Sequence, residues 1–298
     1  MDHSSEPQQI KVYHDESGTF GCTAWCLTGL LWVSPASELI LIDKLRIVRE
    51  RYDYWGEIHY CELPSKFSGK NNTDALVARD WLKLYINDAC NYVWFNVLAV
   101  DTRHKMYDRK RFKRSFQAYN KFTSIAIHSS IKWNFAASKH IKLFFFSDEK
   151  TRRPGSRLGD GKTTDNFEEY IVRQLQFDLN KNKRSPVIDL DSPIQTIDIP
   201  ACQDKSNIKA EEEMLQLCDL LLGSVYSAIT ASSTAETKTY LGKQIAQLIL
   251  DTRKEPWKQQ YGLHRRLNVN YFPNNNGQMY NDGILNVIHN DVQQGNLF

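Results

Sequence analysis

Ile10-Lys11-Val12-Tyr13-His14-Asp15-Glu16-Ser17-Gly18 opens the chain's first ordered-looking stretch. Its β-branched and aromatic residues read as a strand, and Gly18 marks the turn that ends it. The strand delivers two adjacent carboxylates into that turn. Successive side chains of an extended chain point to opposite faces, so Asp15 and Glu16 do not serve the same site, and Asp15 is the candidate. Taken alone, an Asp before Ser-Gly is more often a turn or cap residue whose carboxylate bonds the next amides.

Far down the chain, Leu215-Gln216-Leu217-Cys218-Asp219-Leu220-Leu221-Leu222-Gly223 places one carboxylate in an apolar helical run. Asp219 shares its side of the helix with Leu215, Gln216 and Leu222, so a solvated face does not explain it. A charge held among leucines is costly unless something pairs with it. The structural explanation is an ion pair with Lys or Arg. The functional one is a divalent cation shared with a strand-end carboxylate, which points to a metal-dependent hydrolase of the nuclease type.

With 298 residues, 41% apolar and 12% aromatic, the chain has ample material for one large α/β domain or two small ones. No stretch approaches the roughly 18 consecutive apolar residues of a membrane span, and the polar start MDHSSEPQQ lacks signal-peptide character, so a cytoplasmic protein without membrane association is expected. Six scattered cysteines form no CxxC pair and read as reduced thiols. The net charge of +3 is small but unevenly spread, with Arg103, Lys105, Arg109, Lys110, Arg111, Lys113 and Arg114 close together.

Strand and helix signals alternate. A hairpin is expected over 10–33, a helix from Pro35 to about Tyr52, and an edge strand or extended loop over Gly56–Leu63. A helix over 74–90 and a buried strand from Val93 to Val100 follow, the latter ending at Asp101. Next come a helix over 111–131, a strand Ile141–Phe146 ending at Ser147-Asp148-Glu149, a helix from Asp165 to about Asn182, a strand near 194–199, and the Asp219 helix from about Ile208 to Ile229. Residues 236–251 can add a helix, whereas the Asn-rich segment after Pro256 reads as a loop-rich cap or tail. The opening hairpin argues for a mixed rather than wholly parallel sheet.

Asp148 leaves a strand whose three phenylalanines imply burial on both faces, at the kind of sheet edge where open α/β folds hold ligands. Asp101 is its rival. Glu57 and His59 share a side if EIHYCE is extended, Glu57 as an oxygen ligand and His59 as a general acid or phosphate partner. Carboxylates from separate elements can hold Mg²⁺ or Mn²⁺ for phosphoryl displacement. Arg109, Lys110, Arg111, Lys113 and Arg114, interleaved with Tyr107, Phe112 and Phe116, suggest phosphate contacts with stacking on unpaired bases, and Arg152 and Arg153 beside Asp148 add to them. A solvated helix start explains the same run.

The YxDESG start at Tyr13–Gly18 and the LQxxDLLxG helix at Leu215–Gly223 resemble the DUF3800 family of prokaryotic proteins. The resemblance spans roughly residues 10–230 and is weaker at GEIHYCEL and FFFSDE. It implies a ribonuclease H-like mixed sheet flanked by helices over residues 8–232, with 233–298 as a helix and loop-rich extension. It further implies metal-site roles for Asp15, Asp148 and Asp219 with Glu57 or His59, a nucleic-acid substrate, and association with a partner protein in prokaryotic defence.

Two other readings compete. Ser156–Thr163 (SRLGDGKT) is a near miss to a phosphate-binding loop, with Ser156 where the pattern needs Gly, and suggests a nucleotide-hydrolysing enzyme. A non-catalytic module binding nucleic acid or protein through the basic stretch makes Asp15 and Asp219 matter to folding alone.

Overall fold

The computed structural model describes residues 6–69, 72–112, 114–148, 167–176, 186–190, 194–197, 199, 208–254 and 266–273. Strand β1 (Gln8–Ser17) turns at Gly18 and returns as β2 (Trp25–Val33), pairing antiparallel with Asp15 opposite Gly29. The turn requires glycine: Gly18 has φ +83°, and a Cβ there would lie 2.3 Å from the Trp25 carbonyl oxygen. Helix α1 (Pro35–Tyr52) starts where Ser34 accepts the Ser37 amide at 3.2 Å and Pro35 enters the first turn. Helix α2 (Thr73–Asn87), strand β3 (Trp94–Asp101), helix α3 (Ser115–Asn134), strand β4 (His140–Asp148) and helix α4 (Phe167–Gln174) follow. Short strands β5 (Val187–Leu190) and β6 (Gln195–Ile197) precede helices α5 (Ala210–Thr230) and α6 (Glu236–Lys254) and strand β7 (Leu267–Phe272).

Among the described residues, seven strands form one mixed sheet in the order β5-β4-β1-β2-β3-β7, with β6 also pairing with β4. Only β2 runs against the rest, so β1, β3 and β4 all end on the same edge. This is the expected mixed α/β sheet flanked by helices. Helices lie on both faces. Tyr13, Leu27, Leu31, Phe95, Val97 and Phe146 meet α1, α2, α5 and α6 in one core, while Ile10, Val12, Leu30, Leu98, Val100 and Phe145 meet α3 and α4 in the other. Alternation along each strand thus serves two cores, which is why β2 and β3 read as nearly continuous apolar sequence. Among the described residues, no helix is long and apolar enough to cross a membrane.

Two expectations are corrected and one open alternative is decided. The helix read from residue 111 begins at Ser115, because Arg109–Arg111 form only a 3-10 turn capped by the Asp108 carboxylate on the Lys110 amide. Cations crowded at a helix N-terminus oppose its dipole, so the α-helix starts beyond them. The segment Gly56–Leu63 is the extended loop rather than the edge strand, closing in a 3-10 turn over Tyr60–Glu62. Within the Asn-rich tail, Leu267-Asn268-Val269-Asn270-Tyr271-Phe272 is a strand paired parallel to β3, its alternation hidden in the composition. Beyond residue 232, α6 contributes Leu241, Ile245, Ala246, Leu248 and Ile249 to the core shared with α5.

A polar tie joins α1 to the end of α2. Lys44 donates to Asp88 at 2.6 Å and the Tyr92 hydroxyl donates at 2.9 Å. The Lys44 hydrogen bond, with Tyr92 and the lysine charge, holds the Asp88 carboxyl below its ordinary value against a smaller burial effect. A depressed carboxylate stabilises above its unfolded value, near 3.9, and loses that contribution as pH falls through the folded one. The pair is about two-fifths exposed, Lys44 at 38% and Asp88 at 41%, which keeps its contribution under about 1 kcal/mol. Asp88→Asn should therefore lower the urea midpoint slightly at neutral pH and flatten the acid limb below about pH 4. Identical acid limbs in the two proteins would remove the tie from the stability account.

Candidate active site at the carboxylate edge of the sheet

Asp15 and Asp148 leave adjacent parallel strands on one face. Tyr13 and Phe146 are register partners whose rings stack at 5.0 Å, and each carboxylate lies two residues beyond on the same side. Asp15 is 3% exposed, and Asp148 is half-buried. On the opposite face, His14 bridges the Ser147 hydroxyl and the Tyr119 hydroxyl, both at 2.9 Å, locking β1 to β4 just beneath the carboxylates.

Helix α5 crosses this face. The Cys218 thiol lies 3.4 Å from the Tyr13 carbonyl oxygen. Leu222 packs over Gly29, the cross-strand partner of Asp15, so closely that a Cβ on Gly29 would meet it at 3.1 Å. Asp219 occupies the turn between these two contacts. Its Oδ2 accepts the Tyr60 amide at 2.7 Å. Asp15, Asp148 and the turn of α5 bearing Asp219 are thereby brought to one end of the sheet.

A stripe along α5 straps down the extended loop over 54–60. Gln216 Oε1 accepts the Ile58 amide at 2.8 Å, Asp219 accepts that of Tyr60, Gly223 receives the Tyr60 ring, and Ser227 bonds the Tyr60 hydroxyl at 2.5 Å. Arg49, fully buried, donates to Gln216 Oε1 and the Gly56 carbonyl at 2.8 Å each and pairs with the buried Glu213 at 3.3 Å. Burial lowers the Arg49 pKa and raises that of Glu213, in each case against the pull of its partner. From α6, Lys238 donates to the Cys61 carbonyl at 2.8 Å and Thr237 to the Pro64 carbonyl at 2.5 Å. Desolvation raises the Tyr60 pKa, so its hydroxyl stays protonated.

The remaining expected residues divide. Glu57 and His59 are half-buried and alternate with buried Ile58 and Tyr60, so they share a side of the loop; the His59 ring lies 3.7 Å from Glu62. Asp101, on the same edge but separated from β1 by β2, is gripped by Arg103 through bonds of 2.9 and 3.1 Å and by the Arg103 amide at 3.0 Å. That local fork neutralises it. Arg109, Lys110 and Arg111 are exposed and Arg114 is half-buried. Lys113, Arg152, Arg153 and the Ser156–Thr163 loop lie outside the described residues.

Two of the interleaved aromatics, Tyr107 and Phe112, pack into the protein. Tyr107 is 8% exposed and packs on Phe20 at 6.1 Å, and Phe112 packs on Tyr107 and Phe122 at 6.0 and 5.9 Å. They anchor the loop to the second core, because large apolar rings gain more by burial than by display to water. Sequence reading also missed Arg49, Tyr60, Gly223 and Ser227. The i, i+3, i+7, i+11 recurrence of Gln216, Asp219, Gly223 and Ser227 was a readable signal for a polar and small stripe; Arg49 offered none.

Carboxylate oxygens are the donors that Mg²⁺ and Mn²⁺ prefer. Among the described residues, however, no three His, Cys, Asp or Glu side chains are grouped so as to hold a metal ion together. The expected Asp15, Glu57, Asp148 and Asp219 ligand set is thus not assembled as a closed cage.

No protein-family model and no curated protein matches the chain. It is similar to a solved structure. Ribonuclease H2 from Pyrococcus horikoshii OT3 aligns over 85% of this chain and 89% of its own, at 14% identity and a TM-score of 0.36. A likeness this distant does not bear on the reaction.

Proposed function

We propose that the chain is a ribonuclease H-like, metal-dependent hydrolase of nucleic-acid phosphodiesters, related to the DUF3800 family. The observation that carries this is the convergence of Asp15 and Asp148, on one face of adjacent parallel strands, with the α5 turn bearing Asp219. In this reading those three carboxylates, not grouped as a closed cage by themselves, would hold Mg²⁺ or Mn²⁺, which would supply activation of water and stabilisation of the leaving oxygen. Glu57 and His59 lie on the loop that Asp219 fastens, as an added oxygen donor and a proton donor. The exposed cations after β3 leave the same edge and favour a polyanionic substrate. A cytoplasmic setting and a partner protein in a defence system belong to the same proposal through the resemblance.

Cleavage of labelled RNA and DNA, with Mg²⁺, Mn²⁺ or chelator, tests it. Metal-dependent cutting is expected, falling at least about 100-fold in Asp15→Asn and Asp148→Asn, since even partners that merely orient ligands cost 10–100-fold. Cutting that survives both substitutions in folded protein would sink the assignment.

A further inference from the structure

The basic loop leaves β3 on the edge where β1 and β4 release their carboxylates. It is pressed against the β1–β2 turn, since a Cβ on Gly21 would come within 3.2 Å of the Arg109 guanidinium. Lys105, Arg109, Lys110 and Arg111 are exposed there. Arg103 is committed to Asp101, and Arg111 is 3.4 Å from Asp108, whereas Lys105, Arg109 and Lys110 carry no ion pair among the described residues.

A positive face that binds unpaired strands combines its charges with exposed rings on which bases stack. Here no ring of the stretch is fully exposed. Tyr107 and Phe112 belong to the second core, and Phe116 is half-buried in the first turn of α3. Among the described residues, Trp133 is the one exposed aromatic, 67% accessible. It stands at the far end of α3, about 27 Å along the helix axis from the basic loop at 1.5 Å per residue. Among the described residues, what the loop displays is positive charge held over buried anchors, with no exposed ring on which a base could stack.

We infer that this loop binds the sugar–phosphate backbone of duplex nucleic acid, independent of base sequence and without stacking on unpaired bases. The inference rests on the nucleic-acid reading above and narrows it to one class of substrate. A duplex carries about one negative charge per 1.7 Å of axis, a denser row than a single strand, so a purely ionic face favours it. Either RNA or DNA duplex satisfies this chemistry.

Binding is measured by fluorescence anisotropy in chelator, so that no cleavage is needed and failure of the nuclease reading shows separately in the cleavage assay. Labelled RNA and DNA duplexes and their component strands, in two unrelated sequences, are titrated at several salt concentrations. Duplexes should bind at least about fivefold more tightly than their strands, alike in both sequences, with log affinity falling linearly in log salt. Arg109→Ala/Lys110→Ala should lower that slope by about 2, roughly one per phosphate contact, equally for all sequences. Lys105→Ala, on the same loop, should lower it by about 1. Tighter binding of single strands, dependence on sequence, an unchanged slope in both folded variants, or no binding to any nucleic acid overturns the inference.

Discussion

Arg49→Met is expected to destabilise the fold by about 3–5 kcal/mol, the usual result of removing one partner from a buried ion pair. Arg49 and Glu213 are both fully buried at 3.3 Å. The guanidinium also serves the Gly56 carbonyl, the Tyr54 carbonyl and Gln216 Oε1, and lies 4.7 Å over the Trp81 ring. Methionine fills most of the volume but leaves the buried Glu213 carboxyl with Arg46 as its remaining ionic partner, which reaches it at 2.9 Å from a position 40% exposed. At about 2–4 °C per kcal/mol, the melting temperature should fall by about 10 °C. Adding Glu213→Gln should restore part of the loss, because it removes the uncompensated charge. A drop below about 1 kcal/mol in Arg49→Met, read from urea unfolding, would show that the pair repays only its own desolvation.

Gly223→Ala is the second large effect, and its sign opposes helix propensity. In an exposed helix the change gains about 1 kcal/mol. At Gly223 the new Cβ would sit 2.1 Å from Cγ of Tyr60, at the root of the ring, where rotation gives no relief. Tyr60 is held at three points, by its amide on Asp219, its ring on α5 and its hydroxyl on Ser227. Overpacking of this kind costs about 1–3 kcal/mol, occasionally more. Relief requires the loop to lift, which breaks the 2.7 Å bond to Asp219 and displaces His59 and Glu57. A double-mutant cycle isolates the cause: in a Tyr60→Ala background, Gly223→Ala should become neutral or stabilising. If it remains as harmful there, the clash with Tyr60 is not the reason.

Much of this arrangement was legible in the amino acids. Asp15 and Asp148 could be placed at strand ends, because apolar runs stop at them. Asp219 could be placed on a buried stripe from its spacing to Gln216 and Leu222. The 3.6 and 2.0 periodicities report which face of its own element a residue occupies. They carry no information on which element lies opposite. Two strand-end aspartates, Asp101 and Asp148, therefore looked equivalent until strand order put β4 beside β1 and set β3 one strand away. Arg103, two residues from Asp101, then engages it in a fork that no pattern announces.

The basic stretch shows the same division from the other side. Composition established its charge and its rings, but not that the rings turn inward. That depended on Phe20 and Phe122, the latter backed by Phe272, arriving from other parts of the chain to receive them. Arg49 looked like one more cation on an amphipathic helix, and only the approach of α5, more than 160 residues later, makes it the tie that orders the 54–60 loop. By itself the sequence determined an α/β chain with carboxylates at three strand ends and one on a buried helix. Tertiary structure decided which of them are neighbours and what fastens them, because contacts between residues far apart in the chain are set by strand order and packing, not by local periodicity.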